Sequence, residues 1–155
     1  MAAIDYSAWA VREATESDLP RLIALMTQLR PDDPEAEDPS RLGHYAAVLA
    51  RMTAQGQRVF VVEAEGEVAG ALVLTLVENI TRQGTRYAII ENVIVDDAAR
   101  GKRIGEALAR HAVEAAREAG CYKVSLTSNK RRTEAHRFYK RLGFQQTHEA
   151  FRIDL

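Results

Sequence analysis

A chain of 155 residues, 46% apolar and 28% charged, can bury a continuous core without disulfide or metal staples, so one domain over residues 1–155 is expected. Its net charge of −1 removes any general attraction to nucleic acid or to an anionic membrane, so an anion would have to be held by a local site. Cys121 is the only cysteine, which excludes an internal disulfide, and the four histidines show no metal-ligand spacing, so no metal is expected. The N-terminal stretch lacks a signal pattern and the longest apolar run, around "AGALVLTLV", is far short of a membrane span. These features predict a cytoplasmic protein with no membrane partner.

In chain order, "AWAVREAT" predicts a first strand, and Thr15 followed by Asp18 resembles a capping box. Leu19, Leu22, Ile23, Met26 and Leu29 then recur at helical spacing, with Pro20 in the first turn, where its missing N–H costs little. "RPDDPEAEDPS" breaks that helix as an exposed acidic loop, and Ser40 is expected to cap a second helix that buries Leu42, Tyr45, Leu49 and Met52. "RVFVVEAEGEVAGALVLTLVEN" predicts a hairpin turning at Glu65 and Gly66, "NITRQGTR" a further turn, and "YAIIENVIV" a central strand. Ile104, Leu108, Ala112, Ala115 and Ala119 line one face of a helix stopped by Gly120. "CYKVSLTS" predicts a strand, "RTEAHRFYKRLG" a last helix and "FQQTHEAFRIDL" a final strand. The predicted order is β-α-α-β-β-β-α-β-α-β, an α/β domain around a mixed sheet flanked by about four helices.

Two features of this pattern point to chemistry. The segment "RGKRIGEAL" places Arg100, Gly101, Lys102, Arg103 and Gly105 where a strand gives way to a helix. Unpaired N–H groups at a helix start can hold a phosphate or pyrophosphate, whereas cations alone would oppose the helix dipole. The segment is neither a Walker loop nor a dinucleotide fingerprint. The second feature is Glu91 and Asn92, polar interruptions of the apolar central strand. Glu91 is a candidate general base, taking the ammonium proton directly or through water, and equally a substrate-orienting or solvated residue. Asn92 should point the opposite way in a regular strand, unless a bulge alters the alternation, so one of the two is expected to serve a substrate.

The sequence resembles the GNAT N-acetyltransferases. Arg100 and Gly105 match the ends of that family's signature, Arg or Gln, two residues, Gly, one residue, then Gly or Ala, while Arg103 stands at the inner glycine. "AHRFYKRLGF" is similar to the family's late helix, and the element order agrees over essentially the whole chain. The resemblance implies a GNAT-like, mostly antiparallel sheet and a reaction that moves an acetyl group from acetyl-coenzyme A to an amine in a ternary complex. It implies that residues Arg100, Gly101, Lys102, Arg103, Ile104 and Gly105 hold the pyrophosphate, and that the backbone of Val93, Ile94 and Val95 meets the pantetheine arm and the carbonyl. It further implies that Tyr139 protonates the departing thiolate, a role the motif match favours over that of an amphipathic core residue beside Phe138. Many family members carry an asparagine three residues before the alanine of the late helix. Arg132 stands there, making it a substrate-side candidate, and Asn129, three earlier, is the cofactor-side one.

The stretch "TSNKRRTEAHRFY" resembles aminoalkylphosphonate N-acetyltransferases, while "IIENVIV" and "GCYKVSL" resemble glucosamine-phosphate N-acetyltransferases. A small-molecule amine bearing a phosphate or phosphonate is therefore the expected substrate, with Lys130, Arg131 and Arg132 either recognising the anion or forming a solvated basic loop. Acetylation of a protein lysine or N-terminus is the alternative within the enzyme class, and a non-catalytic acyl-coenzyme A sensor or nucleic-acid module the alternative outside it. A homodimer is common in the family and is left open by this chain.

Overall fold

The computed structural model describes residues 9–155. Residues 1–8, which include the first residue of the "AWAVREAT" stretch, lie outside the described part. The described chain divides into two compact units, one ending at Ser125 and the other comprising Leu126–Leu155.

The first unit is built on an open sheet of five strands in the order β1-β2-β3-β4-β5, namely β1 (Ala10–Glu13), β2 (Gln57–Ala64), β3 (Glu67–Val77), β4 (Tyr87–Val95) and β5 (Val124–Leu126), the last closing at the unit boundary. The first four strands pair antiparallel. β5 runs alongside β4 in the same direction, as the bonds Tyr122 N–H to Arg86 C=O and Ala88 N–H to Lys123 C=O, both 2.9 Å, require. The β2–β3 turn is made by Glu65 (φ 56°) and Gly66 (φ 84°), the left-handed pair that a two-residue hairpin demands.

Alternation along β2 and β3 sorts the core into two layers. Val59, Val61, Val68, Ala71, Val73 and Ile94 form one buried cluster with Leu19, Leu22 and Leu25 of α1 (Leu19–Thr27). Tyr45, Leu49 and Met52 of α2 (Leu42–Ala54) pack against the same cluster. Phe60 and Val62 of β2 and Leu72 and Leu74 of β3, which alternate with Val59, Val61, Ala71 and Val73, are equally buried, as is Ile90 of β4. Their side of the sheet is covered by α4 (Ile104–Glu118), whose Ile104, Leu108 and Ala112 are buried and whose His111 meets Phe60 edge-on at 4.8 Å. Each fully buried leucine or isoleucine contributes about 1.5–3 kcal/mol. Between β3 and β4, α3 (Thr81–Gly84) is a single turn in which Arg82 and Gln83 are left-handed.

The second unit contains α5 (Thr133–Arg141), which ends at Gly143 (φ 94°) where the Phe144 N–H returns to the Tyr139 carbonyl at 3.1 Å. The rings of Phe138, Tyr139 and Phe144 stack edge to face, with centroids 5.1 and 5.9 Å apart.

The predicted order holds from β1 to α5, with three local corrections. The capping box forms, with the Asp18 carboxylate accepting from the Thr15 N–H at 2.7 Å, but a short 3-10 turn at Glu16–Asp18 precedes α1. Asp38, rather than Ser40, caps the turn leading into α2, accepting from the Ser40 N–H at 2.9 Å, because Pro39 moves the helix entry forward; Leu42 consequently stays exposed. The strand expected over 144–155 is absent from the structure, and Phe151, Ile153 and Leu155 are exposed. Alternation creates a face, but a strand also needs a ladder partner.

Candidate functional site

β4 loses its regularity at Glu91. Val73 of β3 pairs with Glu91 and Ala71 pairs with Ile94, so two steps along β3 match three along β4. The extra residue bulges, and Asn92 takes up φ 51°, a left-handed conformation that asparagine tolerates better than other non-glycine residues. Both Glu91 and Asn92 are exposed, and the strand there has the bulge that the sequence reading allowed for. The bulge also re-aims the strand that leads into the cationic loop. β5 is three residues long against nine for β4, and the bonds made just before it, by Tyr122 and Lys123, reach Arg86 and Ala88 at the start of β4. The edge of Val93, Ile94 and Val95 on that side therefore extends past the short ladder, leaving backbone donors and acceptors for a ligand.

The close approach of β3 behind this segment depends on a missing side chain. A Cβ on Gly70 would come within 2.9 Å of the Ile94 carbonyl oxygen and 3.1 Å of Val62 Cγ1, with Ile104 Cγ2 at 3.6 Å.

Beyond β4 the chain is tied down by Asp96. Its N–H donates to the Ala69 carbonyl at 2.8 Å, and its carboxylate accepts from the Ala98 N–H and pairs with Arg21 of α1. Those bonds, led by the one from Ala98, hold the Asp96 carboxyl below the usual range. Arg21 also donates to the Val68 carbonyl at 2.9 Å, and Gln28, which caps the end of α1, accepts from the Asp97 N–H at 3.3 Å through its side-chain oxygen. Helix α1 thus anchors the start of the loop. Sequence reasoning named neither Asp96 nor Arg21; the available signal was the pair Asp96-Asp97 stopping an apolar strand.

Gly101 (φ 82°) and Arg103 (φ 61°) then turn left-handed before α4 begins. Such alternation points successive N–H groups into one concavity. Among the described residues, none of the N–H groups of Gly101, Lys102, Arg103, Ile104 and Gly105 donates a hydrogen bond within the chain. These donors, at the positive end of a fifteen-residue helix, can accept a phosphate or pyrophosphate. The cations beside them are not bare: Arg100 pairs with Asp97 at 2.7 Å, Lys102 with Glu65 at 3.4 Å and Arg103 with Glu106 at 2.8 Å. The Arg100 and Lys102 pairs are exposed and can exchange partners at little cost, whereas Glu106 is mostly buried and shared with Arg110, so the backbone supplies the persistent part of the site.

In the second unit, Asn129 organises the entry to α5. Its side-chain oxygen accepts from the Arg131 N–H at 2.9 Å, and its carbonyl accepts from the Arg132 N–H at 2.9 Å and from His136 Nε2 at 3.0 Å. Tyr139 is partly buried on α5, and that burial pushes its phenol above the ordinary value, with the Arg132 cation pulling it back. A phenol so placed remains protonated at neutral pH and can serve as a donor. Lys130, Arg131 and Arg132 are exposed, and none forms an ion pair among the described residues.

Glu91, Asn92, Val93, Ile94 and Val95 thus lead through one unit into Arg100–Gly105, while Asn129, Arg132 and Tyr139 belong to the other. Among the described residues no group of three histidine, cysteine or acidic side chains could hold a metal ion, and no helix is long and apolar enough to cross a membrane.

An open sheet with a bulged central strand feeding an anion-accepting helix start is suited to a phosphorylated acyl carrier. The acetyltransferase (GNAT) family model matches residues 22–144, and the chain belongs to that family. It is 32% identical over 148 residues to the glucosamine 6-phosphate N-acetyltransferase of Trypanosoma brucei brucei, covering 94% of this chain and 95% of the relative. It is 36% identical over 86 residues to the aminoalkylphosphonate N-acetyltransferase of Salmonella typhimurium, covering 56% of this chain and 55% of the relative. The solved structure of a Trypanosoma brucei acetyltransferase superposes with a TM-score of 0.80 at 30% identity, covering 95% of this chain and 99% of that one. The protein is therefore an acyltransferase whose cosubstrate is acetyl-coenzyme A.

Proposed function

We propose that the chain acetylates the primary amine of a small molecule that carries a phosphate or phosphonate, by direct transfer in a ternary complex. Both named relatives act, by their names, on amines of that kind. The observation that carries the substrate class is the contrast between two sets of cations: those of the loop are paired with carboxylates, whereas Lys130, Arg131 and Arg132 have none. A charge-assisted contact to an anionic group would use the second set. The family match crosses the boundary after Ser125, which supports one catalytic domain spanning both units.

In this reading the N–H groups from Gly101 to Gly105 hold the pyrophosphate. The free backbone edge of Val93, Ile94 and Val95 receives the pantetheine arm and polarises the thioester carbonyl, stabilising the oxyanion as the amine adds. Glu91, exposed beside the bulge, takes the ammonium proton directly or through water, with Asn92 on the substrate side. The carbon–sulfur bond then breaks, and Tyr139 gives its proton to the departing thiolate. Asn129 serves this site through the turn that it stabilises.

The test is an amine panel followed by thiol release from acetyl-coenzyme A, with aminoalkylphosphonates, amino sugar phosphates, polyamines and lysine peptides. Turnover of an anionic amine, with a KM raised by charge reversal at Lys130, Arg131 or Arg132, is the expected result. Preference for uncharged amines, or equal effects of charge reversal on both kinds, would refute the anion reading.

A further inference from the structure

Helix α1 reaches the junction of β4 and the cationic loop at two points, one near each of its ends. Arg21 donates from Nε to the Val68 carbonyl at 2.9 Å and pairs through Nη2 with the Asp96 carboxylate, so one guanidinium joins the start of β3 to the end of β4. The Asp96 N–H completes that link on the Ala69 carbonyl at 2.8 Å. At the other end, Gln28 takes the Asp97 N–H on its side-chain oxygen. Residues 21 and 28 are about two helical turns apart and therefore lie on one side of α1. Between them Leu22 and Leu25 share a buried cluster with Val68 and Ile94, so apolar packing fixes the helix to the sheet while the two polar contacts fix it to the loop.

These contacts hold the stretch just before the loop's N–H donors. The Asp96 carboxylate accepts from the Ala98 N–H at 3.2 Å and its carbonyl from the Ala99 N–H at 2.9 Å, which folds Asp97–Ala99 into a 3-10 turn. Ala99 is buried, and only Arg100 separates it from Gly101, where the run of N–H groups without an acceptor among the described residues begins. A concave set of backbone donors binds an anion best when its shape is fixed beforehand, because ordering a loop on binding subtracts from affinity. We propose that Arg21 and Gln28 are positioning residues for the cosubstrate: by fixing Asp96 and Asp97 they hold the N–H groups from Gly101 to Gly105 in the arrangement that takes the pyrophosphate of acetyl-coenzyme A. The assignment rests on the acyltransferase reading above and uses residues of the first unit alone.

Calorimetry with coenzyme A on Asp96→Asn separates this role from direct contact of Arg21 with the ligand, because the two predict opposite signs. Asparagine keeps an acceptor for the Ala98 N–H and loses the charge that holds Arg21. Positioning requires binding to weaken, by roughly three- to tenfold. Tighter binding would mean that a released Arg21 meets the phosphates itself and would overturn the proposal. Arg21→Lys keeps the charge but cannot bridge the Val68 carbonyl and Asp96 as a planar fork does, so affinity should fall here too; full affinity would reduce Arg21 to a long-range attraction and overturn its positioning role. Gln28→Ala should weaken binding independently, and unchanged affinity would strike Gln28 from the assignment. In steady state, KM for acetyl-coenzyme A should rise in all three variants while kcat and KM for the amine hold. The control is S-acetylpantetheine, which lacks the pyrophosphate. Its KM should not move, and an equal rise for this fragment would show a general disturbance of β4 and overturn the proposal in favour of a structural role. Three separate positions keep the test open if one variant fails to fold. Coenzyme A binding to the unaltered protein no better than pantetheine is a distinct outcome, read before any variant is made, and would remove the pyrophosphate reading of the loop together with this assignment.

Discussion

Arg103 shows how one position can depart from a family pattern in side chain and keep it in backbone. Its φ of 61° at the head of α4 lies in the left-handed region where glycine is unstrained and other residues are not. The residue type changed, while the conformation that the loop needs did not. Arg103→Ala and Arg103→Gly both remove the pair with Glu106, so their difference isolates the backbone. Glycine should be the more stable of the two by about 1 kcal/mol in urea unfolding; equal stabilities would mean that the strain is absent. Tyr139 belongs to the same scale. Its phenol is raised by burial, so it stays protonated through neutral pH. Tyr139→Phe keeps the ring contacts with Phe138 and Phe144 and removes the proton donor. A loss of about 10²–10⁴-fold in kcat with little change in KM is expected, narrowing above roughly pH 8.5, where free thiolate is a stable product. A deficit constant with pH would make the hydroxyl an orienting group, and full activity at neutral pH would remove it from the mechanism.

At the level of elements, the strand β4 and the helix α4 are held in register by what surrounds them. Gly70 lets β3 pass close behind the bulge, and a methyl there would press on the Ile94 carbonyl, which is backbone and cannot swing aside. Gly70→Ala should cost about 1–3 kcal/mol of stability and weaken coenzyme A binding as well, because the displaced strand leads directly into the loop. Loss of stability with unchanged affinity would mean that β4 relaxes without moving the loop. Much of this was readable beforehand. The strand, loop and helix sequence from Tyr87 to Glu118, the left-handed hairpin at Glu65 and Gly66, and the stop at Gly120 follow from local patterns of period and turn chemistry. The bulge itself was not readable, because it is a count of residues on β4 against residues on β3, and only pairing establishes that count.

Over the molecule as a whole, the charge network around the buried Asp18 at the edge of the sheet contributes to the response to acid. Asp18 is 8% exposed and accepts from Arg12 and from the Thr15 N–H, bonds that lower its carboxyl to about 2. Because the folded value lies below the unfolded one, near 4, this stability is complete above pH 4 and is lost as pH falls through the folded value. The contribution is on the order of 2 kcal/mol. Asp18→Asn should therefore be less stable than the unaltered chain at pH 7, and the gap should close between pH 4 and pH 2 in pH-dependent unfolding. A gap independent of pH would assign the loss to packing. The sequence alone determined the α/β class, the element order from β1 to α5, the cationic helix start and the family resemblance, because these depend on periodicity, turn residues and spacing within short stretches. Tertiary structure decided that Glu65 of the β2–β3 turn neutralises Lys102, that Glu91 and Asn92 are exposed together, that Asp96 and Arg21 anchor the loop, and that the Ser128 hydroxyl is left without a partner among the described residues. The same limit explains the final strand, which the alternation of Phe151, Ile153 and Leu155 suggests and which the structure lacks. Each of these depends on what a residue meets across the fold, and the identity of that neighbour is not encoded in any local pattern.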